Sequence, residues 1–176
     1  LLAAGIKACG HTTWGVRIPI AAAFVITVLA LRALGEALWD QRTGLLAGLL
    51  YATSPYPVMV ANSVNTDTFI CMWQVLAALC FWRAQRAEPE RDRRAWITLF
   101  WLVLALGFLT KGPPVFMVAI PIAIWHACQP RSRRAGLWQP LGLVLFFLMA
   151  TSWYLYEAWC HPGLLDYFLG AELRDR

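Results

Sequence analysis

Two residues carry most of the chemistry in this 176-residue chain. Asp67, in Asn65-Thr66-Asp67, and Lys111, in Thr110-Lys111-Gly112-Pro113-Pro114, each interrupt a long apolar run. A carboxylate and an ammonium group gathered at one membrane surface make a site suited to phosphate, because a cation in a water-poor cavity stabilises phosphate charge strongly. Each residue also has a purely local explanation. Asn65 or Thr66 can cap a helix whose first turn holds Asp67, where the positive end of the helix dipole favours an anion. Lys111 can close a helix, with Gly112 supplying a left-handed cap and Pro113 the first position of the next. Spacing alone favours the helix-stabilising explanation for Asp67 and leaves the function of Lys111 open.

The elements that must bring the two together are read from the uncharged runs: 18–31, 43–66, 68–82, 95–110, 112–130 and 135–156. A helix rises about 1.5 Å per residue and needs roughly 20 residues to cross the hydrocarbon layer, so with their flanks all six runs qualify. The chain is 60% apolar with ten Trp and a mean hydropathy of +0.56, too much hydrophobic surface for a soluble domain of this size. The expected architecture is all-α: one polytopic transmembrane bundle of about six spans occupying residues 1–176, with an amphipathic aromatic segment at the outer face.

Lys and Arg set the orientation. If the first span enters from outside, ten of the 15, including Arg32, Arg42, Arg83, Arg86 and Arg91, fall inside; Lys7, Arg17, Lys111, Arg174 and Arg176 fall outside. The net charge of +5 therefore reflects topology and not nucleic-acid binding. Residues 83–94 and 129–134 become short inner connectors, and the expected location is the inner (plasma) membrane with the site facing the periplasm or exterior. The five cysteines show no C-x-x-C or metal-ligand spacing; Cys71 and Cys80 should point to opposite sides of one helix.

The last stretch adds Trp153-Tyr154-Leu155-Tyr156, Trp159, His161-Pro162-Gly163, Tyr167-Phe168 and Glu172-Leu173-Arg174-Asp175-Arg176. An interfacial aromatic belt accounts for the Trp and Tyr but does not require a His-Pro-Gly turn followed by acids and arginines. The segment is expected to lie outside the final span, where it suits a lipid-embedded substrate with a polar head.

These segments, in this order, resemble the integral-membrane glycosyltransferases of the GT-C superfamily that use polyprenyl-phosphate-linked sugars. The resemblance falls in the branch with the lipid A aminoarabinose transferases and protein O-mannosyltransferases. It rests on Trp14-Gly15-Val16-Arg17-Ile18-Pro19, on 44–55 with Asn65-Thr66-Asp67, on Phe108-Leu109-Thr110-Lys111-Gly112-Pro113, and on Trp153-Tyr154 with 161–168. Thr-Lys-Gly-Pro and His-Pro-Gly are the specific parts.

The resemblance implies inverting transfer of a sugar from a polyprenyl-phosphate donor to lipid A, a protein hydroxyl or another envelope glycan at the outer face. It implies membrane lipids as surroundings; no nucleic-acid partner and no cofactor are expected, and no metal either, because no second His or Cys stands at ligand spacing from His161. Lys111 is expected to bind the donor phosphate, with Arg17 and Arg176 as further candidates. Asp67 matches the family's second acidic position and is read as a substrate-orienting acid. Trp153, Tyr154, His161 and Glu172 complete the expected substrate contacts. Aminoarabinose-type members carry Glu-His where this chain has Glu172-Leu173, which weakens a His-dependent or metal-assisted role there. The principal family acid lies in a first outer loop expected before Leu1, so the chain is read as an internal piece, inactive alone. Two other classes remain: a lipid or sugar transporter (flippase), which would place charges at mid-span, and a non-catalytic membrane anchor subunit.

Overall fold

A computed structural model describes residue 7 and residues 12–130 and 136–160. Its elements are α1 (Thr13–Leu38), α2 (Gln41–Thr53), α3 (Pro55–Asn62), α4 (Asp67–Arg86), α5 (Glu90–Lys111), a 3-10 turn (Pro113–Val115), α6 (Phe116–Cys128) and α7 (Pro140–Cys160). No strand occurs among the described residues. The all-α expectation therefore stands.

The count of six spans does not. Among the described residues, three helices are long and apolar enough to cross a membrane: Thr13–Leu38, Glu90–Lys111 and Pro140–Glu157. The pair Gln41–Thr53 and Pro55–Asn62, bent by 55°, makes a fourth if counted as one span. The run 43–66 breaks because Ser54 precedes a proline, which disfavours helical backbone, and Ser54 is extended at φ −68°, ψ 132°. After the run's opening glycine and prolines form a separate turn, α6 keeps 13 residues, about 20 Å against the roughly 30 Å of hydrocarbon. With 20 residues α4 is long enough, but Asp67, Gln74, Arg83 and Arg86 dilute its apolar character. It is instead the central helix, packed between α1 and α5.

Hydrogen bonds at the helix ends establish the directions. Trp82 Nε1 donates to the Ala37 carbonyl at 2.9 Å, pairing the C-terminal ends of α1 and α4, which therefore run parallel. Trp101 Nε1 donates to the Leu137 carbonyl at 2.8 Å, and Gln139 Nε2 to the Arg94 carbonyl at 3.2 Å, so α7 starts where α5 starts. The connector between α4 and α5 is narrower than the expected 83–94: only residues 87–89 lie between the helices. A join that short forces the pair antiparallel. At the same end, the Asp40 side chain caps α2 through the Thr43 amide at 2.8 Å, which holds that carboxyl below its ordinary range.

One core gathers Phe81, Ile97, Phe100, Leu104, Val115, Leu137 and Phe146, and a second joins Ile20 and Ala23 of α1 to Phe69 and Met72 of α4. Cys71 accepts a hydrogen bond from Tyr51 Oη at 3.4 Å while Cys80 is buried in the first core, so the two thiols face different neighbours. Trp153, Tyr154 and Trp159 do not form a segment beyond the last helix. They are its final turns, because the helix continues unbroken to Cys160.

Candidate functional site

Antiparallel pairing of α4 and α5 has a direct consequence for the two polar residues. Asp67 begins a 20-residue helix and Lys111 ends a 22-residue helix, so both come to the same end of the bundle. There Lys111 Nζ donates to Asp67 Oδ1 in an ion pair. Both side chains remain open, Lys111 at 41% and Asp67 at 48% exposure. Exposed pairs contribute roughly 0–1 kcal/mol, less than the about 1.5–3 kcal/mol of a hydrogen bond to a charged group. Asp67 is thus a weakly held and exchangeable partner of the ammonium group.

Each partner is held by its own turn. Before α4, Asn65 Oδ1 accepts from the Asp67 amide at 3.1 Å and Asn65 Nδ2 donates to Ser63 Oγ at 2.7 Å. Asn65 is the residue whose side chain caps; Thr66 makes no such bond. After α5, Gly112 adopts φ 77°, ψ −138°, a conformation that a side chain would strain by about 1–3 kcal/mol. Its amide donates to the Phe108 carbonyl at 2.7 Å, and the chain turns into Pro113–Val115.

The long-range contacts that fix this turn come from residues not singled out in the sequence. Trp73 Nε1 donates to Thr110 Oγ1 at 3.1 Å, and Gln74 Nε2 to the Pro114 carbonyl at 2.8 Å. The two side chains of α4 grip the turn on both sides of Lys111. Gly107 lets the turn fold back: a Cβ there would stand 2.5 Å from Val115 Cγ2 and 3.1 Å from Trp73 Cβ. Gln74, a lone amide inside an apolar run, was the signal available for this clamp, since such a group must find a partner. Thr68, next to Asp67, is buried, and its hydroxyl has no hydrogen-bond partner among the described residues.

The other expected contacts divide. Tyr154 stands at this end: its ring lies 5.6 Å from that of Phe108, edge to face, and its hydroxyl 3.6 Å from where a Cβ at Gly112 would be. Trp153 is exposed and, with Leu109, Ser152 and Tyr156, lines a groove of about 430 Å³. Arg17, exposed in the second turn of α1, belongs to the same end but is not in the Asp67–Lys111 pair. His161, Glu172 and Arg176 lie outside the described residues. Among the described residues, no three His, Cys, Asp or Glu side chains gather as metal ligands would.

What the arrangement offers chemically is a cation with an adjustable counter-ion, next to aromatic surface, at one mouth of an apolar bundle. Comparison with known proteins gives this a context. Residues 1–156 match the family model described as dolichyl-phosphate-mannose-protein mannosyltransferase. The chain is 32% identical over 161 residues, 88% of its length, to an undecaprenyl phosphate-alpha-4-amino-4-deoxy-L-arabinose arabinosyl transferase of Pseudomonas aeruginosa (strain LESB58). It is 30% identical over 169 residues, 93% of its length, to the protein of that name from Aeromonas salmonicida (strain A449), and 30% identical over 152 residues, 83% of its length, to that of Pectobacterium atrosepticum. The chain spans 29%, 30% and 27% of those three relatives. No solved structure matches.

Proposed function

Because the chain belongs to the dolichyl-phosphate-mannose-protein mannosyltransferase family, we propose that it forms part of an integral-membrane glycosyltransferase moving a sugar from a polyprenyl-phosphate donor to an envelope acceptor. The donor class favoured by the relatives' names is an undecaprenyl-phosphate-linked 4-amino-4-deoxy-L-arabinose, with lipid A, a protein hydroxyl or another envelope glycan as the acceptor. The observation that carries the reading is the Asp67–Lys111 pair at one end of the bundle, next to Tyr154 and the Trp153 groove.

In this reading the donor's phosphate sits on Lys111 Nζ and its isoprenoid tail runs along the aromatic groove. As the acceptor hydroxyl attacks the anomeric carbon with inversion and passes its proton to a carboxylate base, the bond to the phosphate oxygen breaks and negative charge builds on that oxygen. Lys111 stabilises this charge through a charge-assisted hydrogen bond from its ammonium group. Asp67 holds the ammonium group in place before the donor binds and orients the substrate afterwards. Arg17 and Arg176 are assigned supporting contacts to the phosphate, and His161 and Glu172 contacts to substrate. The positive-inside bias supports an orientation with this mouth at the periplasmic face: the opposite end carries Arg42, Arg83, Arg86, Arg91, Arg93 and Arg94.

The test uses the full-length protein carrying this segment, in vesicles with a labelled polyprenyl-phosphate sugar. Lys111→Ala is expected to lower transfer by about a hundredfold or more, the range for removing one charge-stabilising group, with membrane insertion intact. Near-normal transfer by that variant overturns the phosphate assignment.

A further inference from the structure

The end of the bundle opposite the Asp67–Lys111 pair contains a larger cavity, about 820 Å³, between the first turns of α5 and α7. Glu90, Arg93, Arg94, Thr98, Trp138 and Gln139 contribute its polar and aromatic wall. We propose that this cavity binds the phosphodiester headgroup of an anionic phospholipid, a site separate from the one where sugar transfer is placed.

Charge balance is the first argument. Among the described residues the cavity holds one carboxylate and two guanidinium groups, and Arg94 is already committed to Glu90, one helical turn away, through its Nε at 3.0 Å and its Nη2 at 2.5 Å. Arg93 is left as the surplus cation. It is half-buried, and its side chain makes no hydrogen bond or ion pair among the described residues, although its charge, after that of Arg94, also attracts the Glu90 carboxylate. One carboxylate cannot neutralise two guanidinium groups, and the planar donor fork of arginine matches phosphate oxygens. One surplus positive charge balances the single negative charge of a phosphodiester. A zwitterionic headgroup would bring its own cation and leave the surplus in place.

The second argument is that the walls are built and not merely adjacent. Gln139 Nε2 donates to the Arg94 carbonyl at 3.2 Å and also to Thr98 Oγ1, while Thr98 Oγ1 donates to the Arg94 carbonyl at 2.9 Å. Trp101 Nε1 anchors the turn before α7 by its bond to the Leu137 carbonyl, and Leu137 is 2% exposed. These bonds tie the two helix starts together and keep the cavity from collapsing. The lip has the composition of a headgroup boundary: Trp138 is 63% exposed and Leu141 60%, an interfacial indole beside an apolar side chain that an acyl chain can follow.

The experiment is lipid binding by native mass spectrometry of the full-length protein, titrated with phosphatidylglycerol and, separately, with phosphatidylcholine. Phosphatidylglycerol is expected to bind at least about tenfold more tightly, and Arg93→Gln to remove about tenfold of its affinity, the scale of one charge-assisted hydrogen bond. Arg93→Lys should retain part of that affinity. Arg42→Gln, an exposed arginine at the same end of the bundle, should leave it unchanged. Equal binding of the two lipids overturns the proposal, as does an Arg93→Gln variant that binds like the parent. An equal loss in Arg42→Gln would show general surface attraction and overturn it too. Displacement of the lipid by inorganic phosphate at comparable concentration would assign the cavity to a free anion instead.

Discussion

Gly107→Ala is the most informative single perturbation, because it strikes the packing that holds the Lys111 turn without touching a charged group. The added methyl would stand 2.5 Å from Val115 Cγ2, and Val115 is fully buried, so neither side has room to yield. Overpacking of this kind costs about 1–3 kcal/mol, offset by roughly 1 kcal/mol from the better helix propensity of alanine. The net expectation is a loss of about 0–2 kcal/mol in stability. Val115→Ala alone, which empties a fully buried site, should cost about 2 kcal/mol. The double variant Gly107→Ala/Val115→Ala is decisive: the new methyl occupies space the valine vacated, so the two changes should offset each other by about 1 kcal/mol or more. Thermal unfolding of the purified full-length protein measures the stability of all four members of the cycle. Sugar transfer, assayed in parallel, should fall in Gly107→Ala and recover in part in the double variant. Strict additivity in the cycle would refute the claim that Gly107 exists to seat Val115 and, through it, the turn carrying Lys111.

Gln74→Leu leaves the Pro114 carbonyl without its side-chain donor and should cost about 1–3 kcal/mol in stability, with transfer reduced more than by Trp73→Phe, which still fills its site; equal transfer in both would discount the clamp. Asp67→Asn should weaken transfer more than Glu157→Gln, since Asp67 is the carboxylate seen paired with Lys111 among the described residues; matched losses would remove Asp67 from the site. Thr68→Val, which replaces a buried hydroxyl lacking a partner among the described residues, should keep or raise thermal stability by roughly 1 kcal/mol with transfer retained, and a marked loss of transfer would give that hydroxyl a substrate contact.

The meeting of Asp67 and Lys111 was legible from the chain because it depends only on counting: two apolar runs of similar length, a short charged join, and a polar residue at each far end. The number of spans was not, because an uncharged run says nothing of where backbone geometry interrupts it. Pro55 splits 43–66, and Pro113 and Pro114 spend the start of 112–130 on a tight turn, so two runs that suffice by length yield shorter helices. Conversely, Arg17 and Arg32 do not stop α1, which runs through both for 26 residues, since long cationic side chains on an exposed face leave the backbone ladder intact. The aromatic residues from Trp153 were placed beyond the last span on composition, yet nothing there breaks a helix before Cys160. Trp73 and Gln74 act on the site through contacts with residues far along the chain, and no local pattern encodes such partners.

The central claim is that the carboxylate and the ammonium group share one mouth of the bundle, and side-specific labelling tests it most directly. Asp67→Cys and Lys111→Cys, each in a cysteine-free background of the full-length protein, are exposed to a membrane-impermeant maleimide in sealed vesicles of known orientation. Both thiols should react from the same side, the periplasmic one. Reaction from opposite sides would contradict the shared site and with it the phosphate chemistry assigned to it.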